Sequence, residues 1–107
     1  MTTITSDNDL FTLINVFYVD PENQQELIDL LIDATEETMK NLPGFKSANI
    51  HGSFDGKRVI NYAQWESKEH FEKMLSNSEA IPHMKQAEAL VNDFEPIQTT
   101  VKDSIAI

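Results

Sequence analysis

Residues 59–65 read Val59-Ile60-Asn61-Tyr62-Ala63-Gln64-Trp65. In a strand the side chains alternate between faces and the backbone rises about 3.3 Å per residue. Asn61 and Trp65 then point the same way, roughly 13 Å apart, and Ile60, Tyr62 and Gln64 point the other way. Large side chains stand on both sides, so both faces of this strand are expected to be covered. Helices can supply one cover. Asn61 and Trp65 beneath them would bound a cleft, which is the first candidate site.

Working outward, Asp55-Gly56 just upstream is a hairpin signal, because a two-residue type I′ turn takes positive φ at both positions. It predicts that residues 45–54 form a second strand, antiparallel to the first. That strand has Phe45, Ser47, Asn49, His51 and Ser53 on one side and Lys46, Ala48, Ile50, Gly52 and Phe54 on the other. Before it, Asp20-Pro21 offers an N-cap acceptor and a proline at the first helical position. Leu27, Leu30, Leu31, Ala34 and Thr38 recur at helical spacing, and Pro43-Gly44 ends the pattern. A helix of about five turns from Pro21 to near Leu42 follows.

Residues 10–19 are dense in Leu, Phe, Ile, Val and Tyr and read as a strand buried on both faces. Asn15 breaks that run, and a buried amide either finds partners or looks into a cavity. After Trp65, Ser67 is a plausible N-cap for a second helix, with Phe71, Met74 and Leu75 inward. Asn77 and Ser78 interrupt it before a further helical stretch over 79–91. Pro96 is expected to open a last strand.

The order strand, helix, strand, strand, helix, strand is the split βαβ pattern of ferredoxin-like α+β domains. It places a four-stranded antiparallel sheet under helices on one face. Ile14, Val16, Ile60 and Tyr62 would then lie on the uncovered face. That is too much apolar surface to leave wet, so a homodimer through the sheet face is expected. A chain of 107 residues suits one domain, here residues 10–107, with residues 1–9 disordered or extended.

Eighteen acidic against eight basic residues give a net charge of −10, a field that repels phosphate. Nucleic acid and anionic membranes are therefore poor partners. There is no cysteine, which removes disulfides, thiolate nucleophiles and thiolate-bound metals. Nothing at the start of the chain looks like a secretory signal and no stretch is long enough to span a membrane, so a cytoplasmic location is expected. No glycine-rich phosphate loop, nucleophile elbow or paired-histidine motif is present. His51, His70 and His83 fall on separate elements; His83, after Pro82 at a helix start, is the one best placed to reach a cleft.

An amide, an indole N–H and an aromatic wall on one strand face suit a flat, oxygenated aromatic ligand. The run Asn61-Tyr62-Ala63-Gln64-Trp65-Glu66-Ser67, together with Pro43-Gly44-Phe45, resembles the antibiotic biosynthesis monooxygenase domain of the dimeric α/β barrel superfamily. The resemblance spans nearly all of residues 10–102. It implies a homodimer of ferredoxin-like subunits forming a dimeric α/β barrel, each with a pocket between sheet and helices. It also implies oxidation of a quinol, anthrone or related phenol by O₂ without metal, flavin or other cofactor. Asn61 and Trp65 would donate to anionic oxygen, His83 or His51 would accept the proton, and Asn15, His51 and Phe71 would contact substrate. Phe71 stands where similar anthrone oxygenases carry Tyr, and Leu75 where heme-degrading relatives carry the iron-binding His. Two other classes use the same groups: a non-catalytic ligand-binding or regulatory dimer, and an isomerase or detoxification enzyme for a small carbonyl metabolite.

Overall fold

A computed structural model describes residues 1–7 and 9–107. Four strands, β1 (Phe11–Tyr18), β2 (Phe45–Gly52), β3 (Arg58–Trp65) and β4 (Asp93–Thr99), form one antiparallel sheet in the order β2-β3-β1-β4. Three helices, α1 (Gln24–Glu37), α2 (Lys68–Leu75) and α3 (Ile81–Leu90), complete the α+β ferredoxin-like fold. Of the expected segment 1–9, Asn8 lies outside the described residues. Residues ahead of it reach the sheet: Thr2 Oγ1 donates to Asn49 Oδ1 at 2.7 Å, and Gln64 Nε2 donates to the Thr3 carbonyl at 2.8 Å.

Register decides which side chains share a face. Along β1 and β3, Phe11 stands opposite Trp65, Leu13 opposite Ala63, Asn15 opposite Asn61 and Phe17 opposite Val59. These residues face the helices. Thr12, Ile14 and Val16, with Gln64, Tyr62 and Ile60 opposite them, form the outer face, where the two isoleucines, Val16 and Tyr62 are half-buried. The double burial expected of β1 is thus reached only by Leu13 and Phe17 on its helix side and by Thr12 on the other.

Several local expectations change. The first helix is shorter than five turns: a 3₁₀ turn at Pro21–Asn23 precedes α1, and Thr38, at φ −127° and ψ −61°, breaks it before a second 3₁₀ turn at Met39–Asn41. Asp20 makes no side-chain cap; its carboxylate instead accepts from Asn92 Nδ2 at 3.0 Å. The hairpin is not type I′, because Gly56 has φ +77° but no described non-glycine residue has positive φ. Ser53 N–H donates to the Arg58 carbonyl and Gly56 N–H to the Ser53 carbonyl, a longer loop with one left-handed residue. Asp55 holds it by accepting from Ser53 Oγ and the Lys57 N–H, and the latter bond above all keeps its carboxyl below the usual range.

A bulge between Phe45 and Ser47 corrects the facing of β2. The extra residue, Lys46, turns Phe45 to the helix side with Ala48 and Ile50, and leaves Ser47, Asn49 and His51 outside. Pro96 does not open β4 but lies in its middle, opposite Asn15. It is tolerated there because β4 is an edge strand. Ser67 does cap α2, accepting from the His70 N–H at 3.2 Å.

The buried side chains form two clusters. Leu13, Ala63, Trp65, Phe71, Met74 and Ala80 make one, and Phe17, Val19, Leu27, Val59 and Ala87 the other. Full burial of one such aliphatic or aromatic side chain is worth about 1.5–3 kcal/mol. The seam between the clusters falls at the Asn15–Asn61 pair.

Gly44 ties β2 to the start of α2. Its φ is +84°, its carbonyl accepts from the Glu66 N–H at 2.7 Å, and a Cβ there would collide with the His70 ring. Gly44→Ala is expected to cost more than about 2 kcal/mol, the left-handed penalty plus the clash. A urea midpoint within error of the wild type would contradict this account.

Candidate functional site

Because the core is split, the helices do not seal onto the sheet at the seam. A cavity of about 440 Å³ lies there, within the range that holds drug-sized ligands. Asn15 and Asn61 are its polar floor, contributed by adjacent strands at the same register. The Oδ1 atoms of both are buried and without a hydrogen-bond partner. An orphaned amide oxygen costs about 1–3 kcal/mol when no water or ligand satisfies it. Two side by side, aimed into an apolar chamber, are what a ligand with paired O–H donors would satisfy. Rotating either carboxamide would present its N–H₂ instead, so the same floor can also donate to an anionic oxygen.

Aromatic rings close both ends. Trp65 meets Phe45 edge-on at 5.5 Å between centroids and Phe71 at 6.4 Å, and Phe71 stacks on Phe11 at 5.3 Å. Trp65 is 3% exposed, so it is a packed wall of the chamber more than a free post. At the other end Phe17 stacks on Phe94 at 4.9 Å. The exposed lining residues Leu75, Glu88, Phe94, Pro96 and Gln98 mark the open side, between the helices and edge strand β4.

His83 lines the cavity from α3, its Nε2 3.1 Å from Thr38 Oγ1. His51 does not join it. It stands on the outer face opposite Ile60, largely exposed, with Nδ1 3.1 Å from the Asn49 carbonyl. Ile50 is the β2 neighbour of Asn61, since one step along a strand reverses the face. The contact with a pocket ligand expected of His51 is therefore corrected. The third histidine, His70, is tied to the Ser67 hydroxyl at 2.7 Å and takes no part in the lining.

Asn15, Asn61, Trp65, Phe71 and His83 are thus brought to one chamber, from four elements. Sequence reasoning missed Thr35, Thr38 and Gln98 as polar groups at or beside it. Thr38 had one signal, a hydroxyl at an inward helical position. Gln98 had none, because its facing depends on where β4 begins. Among the described lining residues His83 and Glu88 are the ionisable ones. The remaining polar groups are amides and hydroxyls, which suit orienting a ligand and stabilising charge more than nucleophilic attack.

Residues 10–90 match the family model described as antibiotic biosynthesis monooxygenase. The chain is similar to tetracenomycin-F1 monooxygenase of Streptomyces glaucescens, at 49% identity over 83 residues, covering 78% of this chain and 74% of that protein. A Streptomyces coelicolor monooxygenase solved in complex with nanaomycin D superposes with a TM-score of 0.83 at 28% identity, covering 91% of both chains. A cofactor-independent oxygenase of Streptomyces nogalater shares the fold, with a TM-score of 0.79, 21% identity and coverage of 91% and 97%.

Proposed function

Starting from a chain that belongs to the antibiotic biosynthesis monooxygenase family and is a monooxygenase, we propose that it oxidises a polycyclic phenol, of anthrone or quinol type, with O₂ and no cofactor, as a cytoplasmic homodimer. The observation that carries this reading is the pair of unpartnered amide oxygens, Asn15 and Asn61, on the floor of an apolar chamber with aromatic ends. The resemblance to proteins named for tetracenomycin F1 and solved with nanaomycin D supports a ligand of this class.

In such a reaction the substrate supplies the electrons. Loss of a proton from an activated CH₂ leaves an enolate, which reduces O₂ and forms a C–O bond. Loss of water from the resulting hydroperoxide gives the carbonyl, so that CH₂ and O₂ become C=O and H₂O. The protein has to hold the ring, orient it and stabilise the anionic oxygens. Asn15 and Asn61 accept from substrate hydroxyls or, turned, donate to the enolate and peroxide. Trp65 and Phe71 wall the ring system, and His83 is the imidazole in reach of the chamber for proton transfer.

Oxygen-electrode traces with metal-free protein and 1,8-dihydroxyanthrone, alongside a naphthohydroquinone, test the proposal. Substrate-dependent O₂ uptake in equimolar ratio to carbonyl product is expected. A ligand bound tightly and recovered unchanged in air would overturn it in favour of a ligand-binding dimer. The half-buried Ile14, Val16, Ile60 and Tyr62 on the outer face support the sheet-to-sheet homodimer. Sedimentation at micromolar concentration should give twice the chain mass of 12.2 kDa, and a single-chain mass would defeat that part of the reading.

A further inference from the structure

Thr38 poses a question the fold alone does not answer. It ends α1 with its residue 6% exposed, and its hydroxyl meets the imidazole of His83, from a different helix, at 3.1 Å. His83 in turn has two surroundings. One side of the residue lines the cavity with Asn15 and Asn61, and the other borders a surface groove between α1 and α3. An imidazole exchanges protons through one nitrogen when the other is held by a hydrogen bond that fixes ring and tautomer.

We propose that Thr38 is a positioning residue: it accepts from His83 Nε2–H and so leaves Nδ1 with a free lone pair to take a proton from the substrate and return it. This rests on the oxygenase reading above. The C–H bond of the activated CH₂ breaks, its electron pair stays on carbon and its proton goes to Nδ1. The enolate then reduces O₂ and forms the peroxide. The imidazolium gives the proton back to the peroxide oxygen. In the final loss of water the second C–H proton leaves with the departing hydroxide, and imidazole is regenerated neutral. No proton is gained or lost over the cycle, and the groove lets the ring equilibrate with solvent between turnovers. The charged groups around His83 are Glu26, Asp29, Asp33 and Glu37 of α1 along the groove and Glu88 of α3 on the cavity side.

Thr38→Val keeps shape and removes the hydroxyl. It is expected to lower kcat/KM for 1,8-dihydroxyanthrone about tenfold, the worth of one hydrogen bond. Thr38→Ser should restore most of the rate. His83→Gln should lower it about 10²-fold or more and remove whatever dependence on an acidic limb the wild-type kcat/KM profile has. A readout free of turnover accompanies these: in ¹⁵N-edited NMR of the resting protein the His83 Nε2–H proton should be visible, absent in Thr38→Val and regained in Thr38→Ser. Equal visibility in Thr38→Val, or a His83→Gln enzyme with the wild-type rate and pH profile, overturns the proposal. Absence of O₂ uptake by the wild type would instead sink the oxygenase reading, and the NMR comparison would still decide whether Thr38 holds the ring.

Discussion

Asn61→Ala is expected to lower kcat/KM for an anthrone substrate by about 10²–10³-fold, the cost of removing one preorganised group from a site of developing negative charge. Folding stability should move the other way. Asn61 Oδ1 is buried without a partner in the protein, so the amide oxygen adds no hydrogen bond to the fold. Its removal is expected to be neutral or to raise stability by about 1 kcal/mol, read from a urea midpoint. A residue whose loss harms turnover but not the fold is held for function. Should activity and midpoint fall together, Asn61 would be a structural amide and the floor of the chamber would need another explanation. Asn15→Ala should behave similarly, because the two side chains sit at one register and share one environment. The double variant should cost less than the sum of the two, since neighbours acting on one ligand do not add.

Trp65→Ala carries the largest expected loss of stability. The indole is 3% exposed and packs on both Phe45 and Phe71, in the cluster that also holds Leu13 and Met74. Truncating a buried tryptophan costs about 3–5 kcal/mol, a large share of the roughly 5–15 kcal/mol that keeps a domain folded. Trp65→Phe retains a ring for that packing and should lose less, while removing the N–H donor. Comparison of the two separates wall from donor: a fall in kcat for Trp65→Phe at nearly wild-type stability assigns a part to the N–H. A Trp65→Ala protein as stable as the wild type would show that the ring is not part of the core at all.

These two residues lie four positions apart on one face of one strand, and their contrasting predictions come from their neighbours. Nothing in the run from Val59 to Trp65 says that Trp65 ends among rings while Asn61 faces a cavity. That difference arises because the helices pack in two separate clusters, and the seam between them passes over Asn61.

The sequence by itself determined the element order, the capping of α2 by Ser67 and the shared face of Asn61 and Trp65. Each follows from local physics: the alternation of a strand, the hydrogen-bonding reach of a hydroxyl, and the break that Pro43-Gly44 enforces before β2, although α1 itself already stops at Thr38. Tertiary structure alone decided the rest. The bulge at Lys46 set the facing of Phe45, and the register of β2 on β3 put Ile50 beside Asn61 and sent His51 outside. The β1–β3 register brought Asn15 against Asn61, and the packing of α1 on α3 brought Thr38 to His83. Such pairings join residues 45 or 46 positions apart in the chain, and no local preference encodes them. They are fixed by burial of the whole apolar face at once, where a slip of one residue would turn every side chain of a strand to the wrong side.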